Sequence, residues 1–572
     1  MTTTVDTISV AMVGSGGAGV MTAGEMLLRA AAAHGWYGLM TRSYGPQIRG
    51  GEAAAFVRLG THPVDAPADR FDILLAVDWQ NVERFADELP LDGTSLVIGD
   101  ESTGDPPAAL LATGARHVTL DMKGLCKGIA GARPNMLALG AISRLVGMPL
   151  DPIEAALARV LKKKGADAIK ASVTTVAAGA EAAAELPAVP QLAPPPAGSA
   201  DRWSITGNQA AGLGALRGGI GFVAAYPITP ATEILEWLSP NLPKVGGVLV
   251  QAEDELASIN MVIGASFGGT PSLTATSGPG LALMIEALGL AVTSEVPVVV
   301  VNVMRGGPST GIPTKSEQGD LNIAVYGLPG DAPHVVTAPL TISDCLFTTQ
   351  WSVHLAEALQ TPAIILSDQT LGQARAVIDK PDGISFKAAR ETANGKTPVQ
   401  RYALTDSGVS PMALPGMAGC QYTADGLEHN PRGTPSSAAS DHRQQLDKRL
   451  KKIVQFDYGD HWAEITGDGE IGVITWGSTT GPVREAVRRL DPEGRKFRVI
   501  AVRLLSPAQP ARMAAALAGV KRVVVFEQNH SGQFFDHLRK TYELPPEVEP
   551  FFRPGPLAIR PGEVEAKLRD WS

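Results

Sequence analysis

The chain has 572 residues, room for roughly three or four domains. Its composition is globular, with 44% hydrophobic and 19% charged residues, and its net charge of −9 argues against general nucleic-acid binding. The three cysteines, Cys126, Cys345 and Cys420, lie far apart, so the chain carries no Cys-x-x-Cys cluster or zinc set of its own, and cysteine this sparse suits a reducing cytoplasm. Residues 1–7 lack the basic-then-apolar order of a signal peptide. The most apolar stretch, 281–304, is broken by Glu286, Glu295 and Pro297, so it predicts a helix followed by a buried strand and not a membrane span.

Residues 1–186 read as a first α/β domain. A short apolar strand at 8–13 runs into Gly14-Ser15-Gly16-Gly17-Ala18-Gly19, then a helical pattern covers 20–33. Glycines in that context let a backbone approach a pyrophosphate at a helix N-terminus. A nicotinamide site also needs an acid about 20 residues on, to hold the ribose. The stretch 36–42 carries none, so a NAD-dependent dehydrogenase built on Gly14–Gly19 stands as the alternative reading of another class. Next comes Arg42-Ser43-Tyr44-Gly45-Pro46-Gln47-Ile48-Arg49-Gly50-Gly51, a cationic, donor-rich loop whose guanidinium forks suit phosphate or carboxylate; a solvated turn explains the residues equally well. Strands at 73–77 and 95–98 alternate with helices at 135–145 and 152–161, which is α/β order. A Pro/Ala-rich linker spans 187–202.

The second domain, 203–375, repeats strand then helix. Strands are expected at 220–225, 248–251, 272–276, 296–304, 333–337 and 362–368, with helices between them, so a doubly wound parallel sheet is predicted. Ligands in such sheets sit beyond the carboxyl ends of the strands. There Ala225-Tyr226-Pro227-Ile228-Thr229-Pro230-Ala231-Thr232-Glu233 forms a stiff turn, since each proline fixes one torsion. Gln251-Ala252-Glu253-Asp254-Glu255 follows another strand; acids in a first helical turn also serve simply as dipole partners. Thr274-Ala275-Thr276-Ser277-Gly278-Pro279-Gly280 leaves room at a helix start. Arg305 ends a buried apolar strand, where a charge needs a partner, either a structural ion pair or a bound carboxylate. Gly306-Gly307-Pro308-Ser309-Thr310-Gly311 follows, and Lys315 lies ten residues after Arg305.

Residues 376–465 are mostly irregular, closing on a charged helix at 441–454. A third α/β domain fills 466–572, with strands at 472–475, 497–502 and 522–526. Gly467-Asp468-Gly469 precedes a strand and no Asn-Asn pair follows; Glu493-Gly494-Arg495-Lys496 occupies that window, so the run reads as a turn.

Several of these runs together resemble the 2-oxoacid:ferredoxin oxidoreductases. The 225–233 nonapeptide is similar to the signature of their α subunit, Arg42–Gly51 to their γ domain, and the 525–533 run, Val-Phe-Glu-Gln-Asn-His-Ser-Gly-Gln, to the close of their transketolase C-terminal-like domain. His530 in that run reads as a structural or interface residue. Tyr422-Thr423-Ala424-Asp425-Gly426-Leu427-Glu428-His429 is similar to a run of the α subunit, with a packing or contact role. The resemblance implies a fused γ/α chain with three α/β domains: a γ domain, a pyrimidine-binding thiamine-enzyme domain and a transketolase C-terminal-like domain. By resemblance Glu253 matches the acid facing the aminopyrimidine of thiamine diphosphate. Thr229 and Arg305 match the residues that meet the 2-oxo acid. Tyr226, Pro227, Ile228, Ser277 and Gly278 line the cofactor. Ser309, Thr310 and Lys315 belong to the substrate loop, and Lys315 would suit a second carboxylate. Arg42, Ser43 and Arg49 become candidates beside the coenzyme A path. The implied reaction is CoA-acylating oxidation of 2-oxoglutarate to succinyl-CoA and CO2 with ferredoxin as acceptor, reversible; sister activities on pyruvate, branched-chain or aryl 2-oxo acids remain open. The chain supplies only the pyrimidine half of the site and no metal ligand. The resemblance therefore implies a β subunit carrying the diphosphate half, Mg2+ and an iron–sulfur cluster, an (αβ)2 assembly in the cytoplasm, and no membrane or nucleic-acid partner.

Overall fold

Strands rich in Val, Ile, Leu and Ala, each followed by a glycine- or proline-marked turn and a helix, build three sheets of five or more strands. The computed structural model describes residues 3–44, 51–80, 82–198, 202–395 and 399–571. They divide into two units: 1–206 with 374–382 and 560–562, and 207–373 with 383–559 and 563–572.

The first unit is built on an eight-stranded mixed sheet. Arg116–Thr119, Leu96–Gly99, Ile73–Ala76 and Thr7–Ser15 run parallel, and Ile73–Ala76 and Leu96–Gly99 are buried throughout, as expected for a sheet covered on both faces. Glu52–Gly60 and Tyr37–Tyr44 then continue antiparallel. The last two strands come from far along the chain: Arg375–Ile378 lies antiparallel between Tyr37–Tyr44 and Trp203–Thr206, with Arg375 opposite both Met40 and Thr206. Sequence periodicity placed 375 at the end of the second region; a strand of four residues carries no mark of which sheet it will join. Helices Val20–His34 and Pro134–Val146 contribute the largest buried apolar faces of this unit.

The second unit holds a seven-stranded sheet, in the order Val248–Gln251, Phe222–Ala225, Ser272–Thr276, Val299–Met304, Ala363–Asp368, Val335–Thr337, Leu504–Ser506. All neighbours are parallel except the last, as a doubly wound sheet with one antiparallel edge requires. That edge strand arrives from the C-terminal part because Arg503, buried just before it, forms an ion pair with Asp344 at 2.9 Å and another with Glu464. A five-stranded sheet, Ala463–Thr466, Phe497–Val502, Ile471–Trp476, Arg522–Glu527, Glu547–Phe552, completes the unit. The irregular segment after 382 is tied down by side chains of the preceding helix region. Gln350 donates to the carbonyls of Ile384 and Phe386 at 3.0 and 2.6 Å, and Arg390 forks onto Glu357 at 2.8 Å on both oxygens. The helix expected at 441–454 is Ala439–Val454. Among the described residues no helix is long and apolar enough to cross a membrane.

Candidate active site

In the second unit, four strand ends converge. After Phe222–Ala225 the turn leaves Tyr226 exposed and Pro227, Ile228 and Thr229 half-buried. The helix that follows is Thr232–Asn241; Pro230 lies before it, its carbonyl taken by Asn208 at 3.0 Å. Arg305, 8% exposed at the end of Val299–Met304, donates from Nη1 to the Thr229 carbonyl at 2.6 Å. Its Nε is buried with no partner, so the guanidinium retains a free donor for an anion. Burial lowers the Arg305 pKa while the Asp320 charge works the other way. Asp320 is pushed up by burial and pulled down by the Asn302 amide, which donates to it at 2.8 Å, and by Arg305.

The loop after Val248–Gln251 gives its three acids different surroundings. Glu253 is exposed. Asp254 caps the helix, its carboxylate accepting from the Ala257 N–H at 2.7 Å. Glu255, first residue of the helix Glu255–Phe267, is the buried one at 6% exposure. A methyl on Gly280 would lie 2.6 Å from Glu255 Oε1, and one on Gly278 would lie 2.7 Å from Asp320 Oδ1. The two glycines opening the helix Gly278–Thr293 therefore face one carboxylate each. Thr276, which also crowds Gly280, is the cross-strand partner of Asn302. The result is a continuous wall: Glu255, Thr276, Asn302, Asp320, Arg305, Thr229. The signal for Glu255 was present in the sequence, since Ser258, Ile259 and Val262 follow it at helical spacing and are buried with it.

Three buried side-chain atoms at these strand ends have no hydrogen-bond partner: Thr274 Oγ1, Ser277 Oγ and Asn302 Oδ1. Buried polar atoms are rarely left so, and they fit the polar edge of a heteroaromatic ring held beside a carboxyl group. Ser277 is one of the three, and Gly278 follows it at the start of the helix. The loop after Arg305 turns back on itself, with Gly306 opposite Ile312; Ser309 and Thr310 are exposed at its tip and Lys315 is half-buried at its return. Gly467-Asp468-Gly469 is a turn ahead of Ile471–Trp476, its Asp468 carbonyl accepting from Arg498 at 2.8 Å.

In the first unit, the glycine loop opens a cavity of about 1660 Å3 whose wall includes Trp79, Lys123, Arg133, Asn135 and Lys164. The Ser15 N–H and hydroxyl both donate to Asp78, at 3.0 and 2.8 Å, so an acid already fills the start of the loop where a dinucleotide fingerprint would offer free donors to phosphate. Tyr44 lines the cavity and Arg42 and Ser43 do not. Ser43 is buried at 1% exposure and donates to Glu88 at 2.9 Å. Arg49 lies outside the described residues. The cationic side chains that do reach the cavity, Lys123, Arg133 and Lys164, come from later helices and turns that no short motif marks.

A doubly wound sheet with buried carboxyls and unpaired polar atoms at its strand ends has the form of an α/β ligand site. Two family models match: "Pyruvate ferredoxin/flavodoxin oxidoreductase" over residues 9–182, and "Pyruvate flavodoxin/ferredoxin oxidoreductase, thiamine diP-bdg" over 213–448. The Mycobacterium tuberculosis 2-oxoglutarate oxidoreductase subunit KorA is 31% identical over 94% of this chain and 87% of its own. The Saccharolobus solfataricus 2-oxoacid:ferredoxin oxidoreductase subunit alpha is 28% identical over 93% of each. The structure of a 2-oxoglutarate:ferredoxin oxidoreductase from Magnetococcus marinus, with 2-oxoglutarate, coenzyme A and succinyl-CoA bound, matches with a TM-score of 0.92 at 35% identity over 99% of both chains. The chain belongs to the 2-oxoacid:ferredoxin oxidoreductase family, as a γ/α-type subunit.

Proposed function

We propose that the chain is the catalytic α subunit of a 2-oxoglutarate:ferredoxin oxidoreductase: 2-oxoglutarate, CoA and two oxidised ferredoxins give succinyl-CoA, CO2, two reduced ferredoxins and a proton. The observation that carries this is the Arg305–Thr229 pair set beside a buried carboxyl wall, in a chain that matches along almost its whole length a structure holding 2-oxoglutarate and CoA. Thiamine diphosphate, when bound, supplies the nucleophilic carbon for the 2-oxo carbon and the electron sink that lets CO2 leave. Glu253 meets the aminopyrimidine, the role the family resemblance gives it; exposed in the lone chain, it lies where a β subunit and the cofactor would cover it. Ser277 and Thr274 offer their unpaired hydroxyls to the ring edge. Arg305 binds the substrate's 1-carboxylate through its free donors, and Lys315 takes the distal one. Lys123, Arg133 and Lys164 hold anionic groups of CoA in the first unit's cavity. The diphosphate half, Mg2+ and the iron–sulfur cluster belong to a β subunit, in an (αβ)2 assembly that reduces ferredoxin in the cytoplasm.

The test is a panel of 2-oxo acids on the complex co-purified with its β subunit, read as CoA-dependent ferredoxin or dye reduction. The highest kcat/KM is expected with 2-oxoglutarate; a preference for pyruvate, a branched-chain or an aryl 2-oxo acid would overturn the substrate assignment. Lys315→Ala should lower kcat/KM for 2-oxoglutarate on the order of tenfold while sparing monocarboxylic 2-oxo acids.

A further inference from the structure

The C-terminal sheet contributes no side chain to the wall described above, yet it grips the loop that carries Asp320. Gln318, fully buried, has each of its polar groups engaged by the ends of two strands of that sheet. Its N–H donates to the Gln528 carbonyl at 2.7 Å and its Oε1 accepts from the Gln528 N–H at 2.7 Å. Its Nε2 donates to the Trp476 carbonyl at 3.0 Å, and its carbonyl accepts from Asn529 at 3.2 Å. Two residues on comes Asp320, and here a single side chain reaches across. Gln533 donates from Nε2 to the Gly319 carbonyl at 2.9 Å and accepts at Oε1 from the Asn322 N–H at 3.0 Å. These are the backbone groups on either side of Asp320 and Leu321. The next turn is pinned as well: Tyr326 Oη lies 2.7 Å from His537 Nδ1, and Lys540 sits 3.8 Å over the Tyr326 ring.

Gln533 opens the helix Gln533–Thr541. Spending both ends of its amide on a distant loop fixes the two residues between them, Asp320 and Leu321. Asp320 is the carboxylate facing Gly278, held by Asn302 and opposing the Arg305 charge. We propose that Gln533 is a positioning residue for the 2-oxo acid pocket, clamping the backbone around Asp320 and through it setting the field and orientation of Arg305. The C-terminal sheet thus acts as the anvil against which the substrate loop is held. This rests on the reading of Arg305 as the carboxylate-binding group.

A double-mutant cycle on the assembled complex tests it, with Gln533→Ala and Asp320→Asn, alone and together. Gln533→Ala should raise the KM for the 2-oxo acid on the order of tenfold, leaving the KM for CoA unchanged. In the Asp320→Asn background the same change should add little, because the group it positions has already lost its charge. Gln533→Glu keeps the acceptor for Asn322 but loses the donor to Gly319, and should fall between; it runs the same cycle should the alanine variant not assemble. Effects that multiply, or a Gln533 change that lowers only the melting temperature, overturn the proposal. A wild-type complex that does not oxidise 2-oxo acids defeats the proposed function instead.

Discussion

Glu255 and Glu253 are two residues apart, and burial distinguishes them. Glu255 turns inward and packs against Gly280, whereas Glu253 lies on the open face, where the proposed cofactor and partner subunit would cover it. Glu253→Gln should lower turnover of the assembled complex about a hundredfold or more with its melting temperature unchanged, whereas Glu255→Gln should act mainly on the melting temperature. Steady-state oxidation of the 2-oxo acid decides, and a reversed order moves the role to Glu255. A string of acids after a strand announced the site in the sequence, but not which acid turns inward. That depends on where the helix begins, and the helix begins after Asp254 because Asp254 caps it. The strand-end placement of Thr229, Arg305 and Ser277 was legible because prolines, a strand-ending charge and a small-residue turn mark it. Asp320 was not, since its importance lies in contacts with Asn302 and Gly278, distant in sequence.

At the scale of elements, the helix Ala439–Val454 shows how composition misleads. Its charges suggest a solvated face, yet Lys448 and Lys452 are buried and meet Glu295, itself fully buried, at 2.5 and 2.8 Å. Arg401 adds two hydrogen bonds to the carbonyls of Ser294 and Glu295. Periodicity finds such a helix but not the lone acid that turns it inward, just as it found the strands expected at 220–225 and 296–304 but not the sheet that 375–378 joins. Glu428 anchors the same helix through Arg449 at 2.8 Å, which gives the 422–429 run its packing role. Burial alone would raise the Glu295 pKa; Lys452, Lys448 and Arg401 override it and hold the carboxyl far below the usual range. A depressed carboxylate contributes stability that is present above its unfolded value near 4.5 and lost only as pH falls through the folded one. His537 acts at higher pH. Burial pushes its pKa from 6.5 to about 4, so the neutral ring is favoured in the fold and its contribution fades as pH falls from 6.5 toward 4. That shift corresponds to about 3 kcal/mol at most. Chemical denaturation between pH 7 and 4 should show His537→Asn with a shallower acid slope than wild type, by up to one proton; equal slopes refute the assignment. Glu295→Gln should cost about 3–5 kcal/mol at neutral pH, since it strands two buried ammonium groups with a neutral partner.

For the whole molecule, function follows from what this chain brings and what it leaves to others. The wall from Glu255 to Thr229 offers a carboxyl, a guanidinium and small hydroxyls, all suited to a ring and a carboxylate. A diphosphate needs a divalent cation held by oxygen ligands at a strand end, and the one Gly-Asp-Gly run is a turn before a strand, with its middle carbonyl bound to Arg498. Electrons leaving the substrate need a metal carrier, and the three cysteines sit singly, two of them buried. On the proposed function the second half of the site comes with a partner subunit, and the energetic consequence is measurable. Purified alone, the chain should show no CoA-dependent dye reduction with 2-oxoglutarate and no iron, and thiamine diphosphate with Mg2+ should leave its melting temperature nearly unchanged, because a ligand raises stability only in proportion to its excess over Kd. Titrating in the β subunit should restore turnover, saturating at one β per chain, with iron tracking the β fraction. An isolated chain that binds the cofactor tightly and oxidises 2-oxo acids unaided would refute the shared-site account.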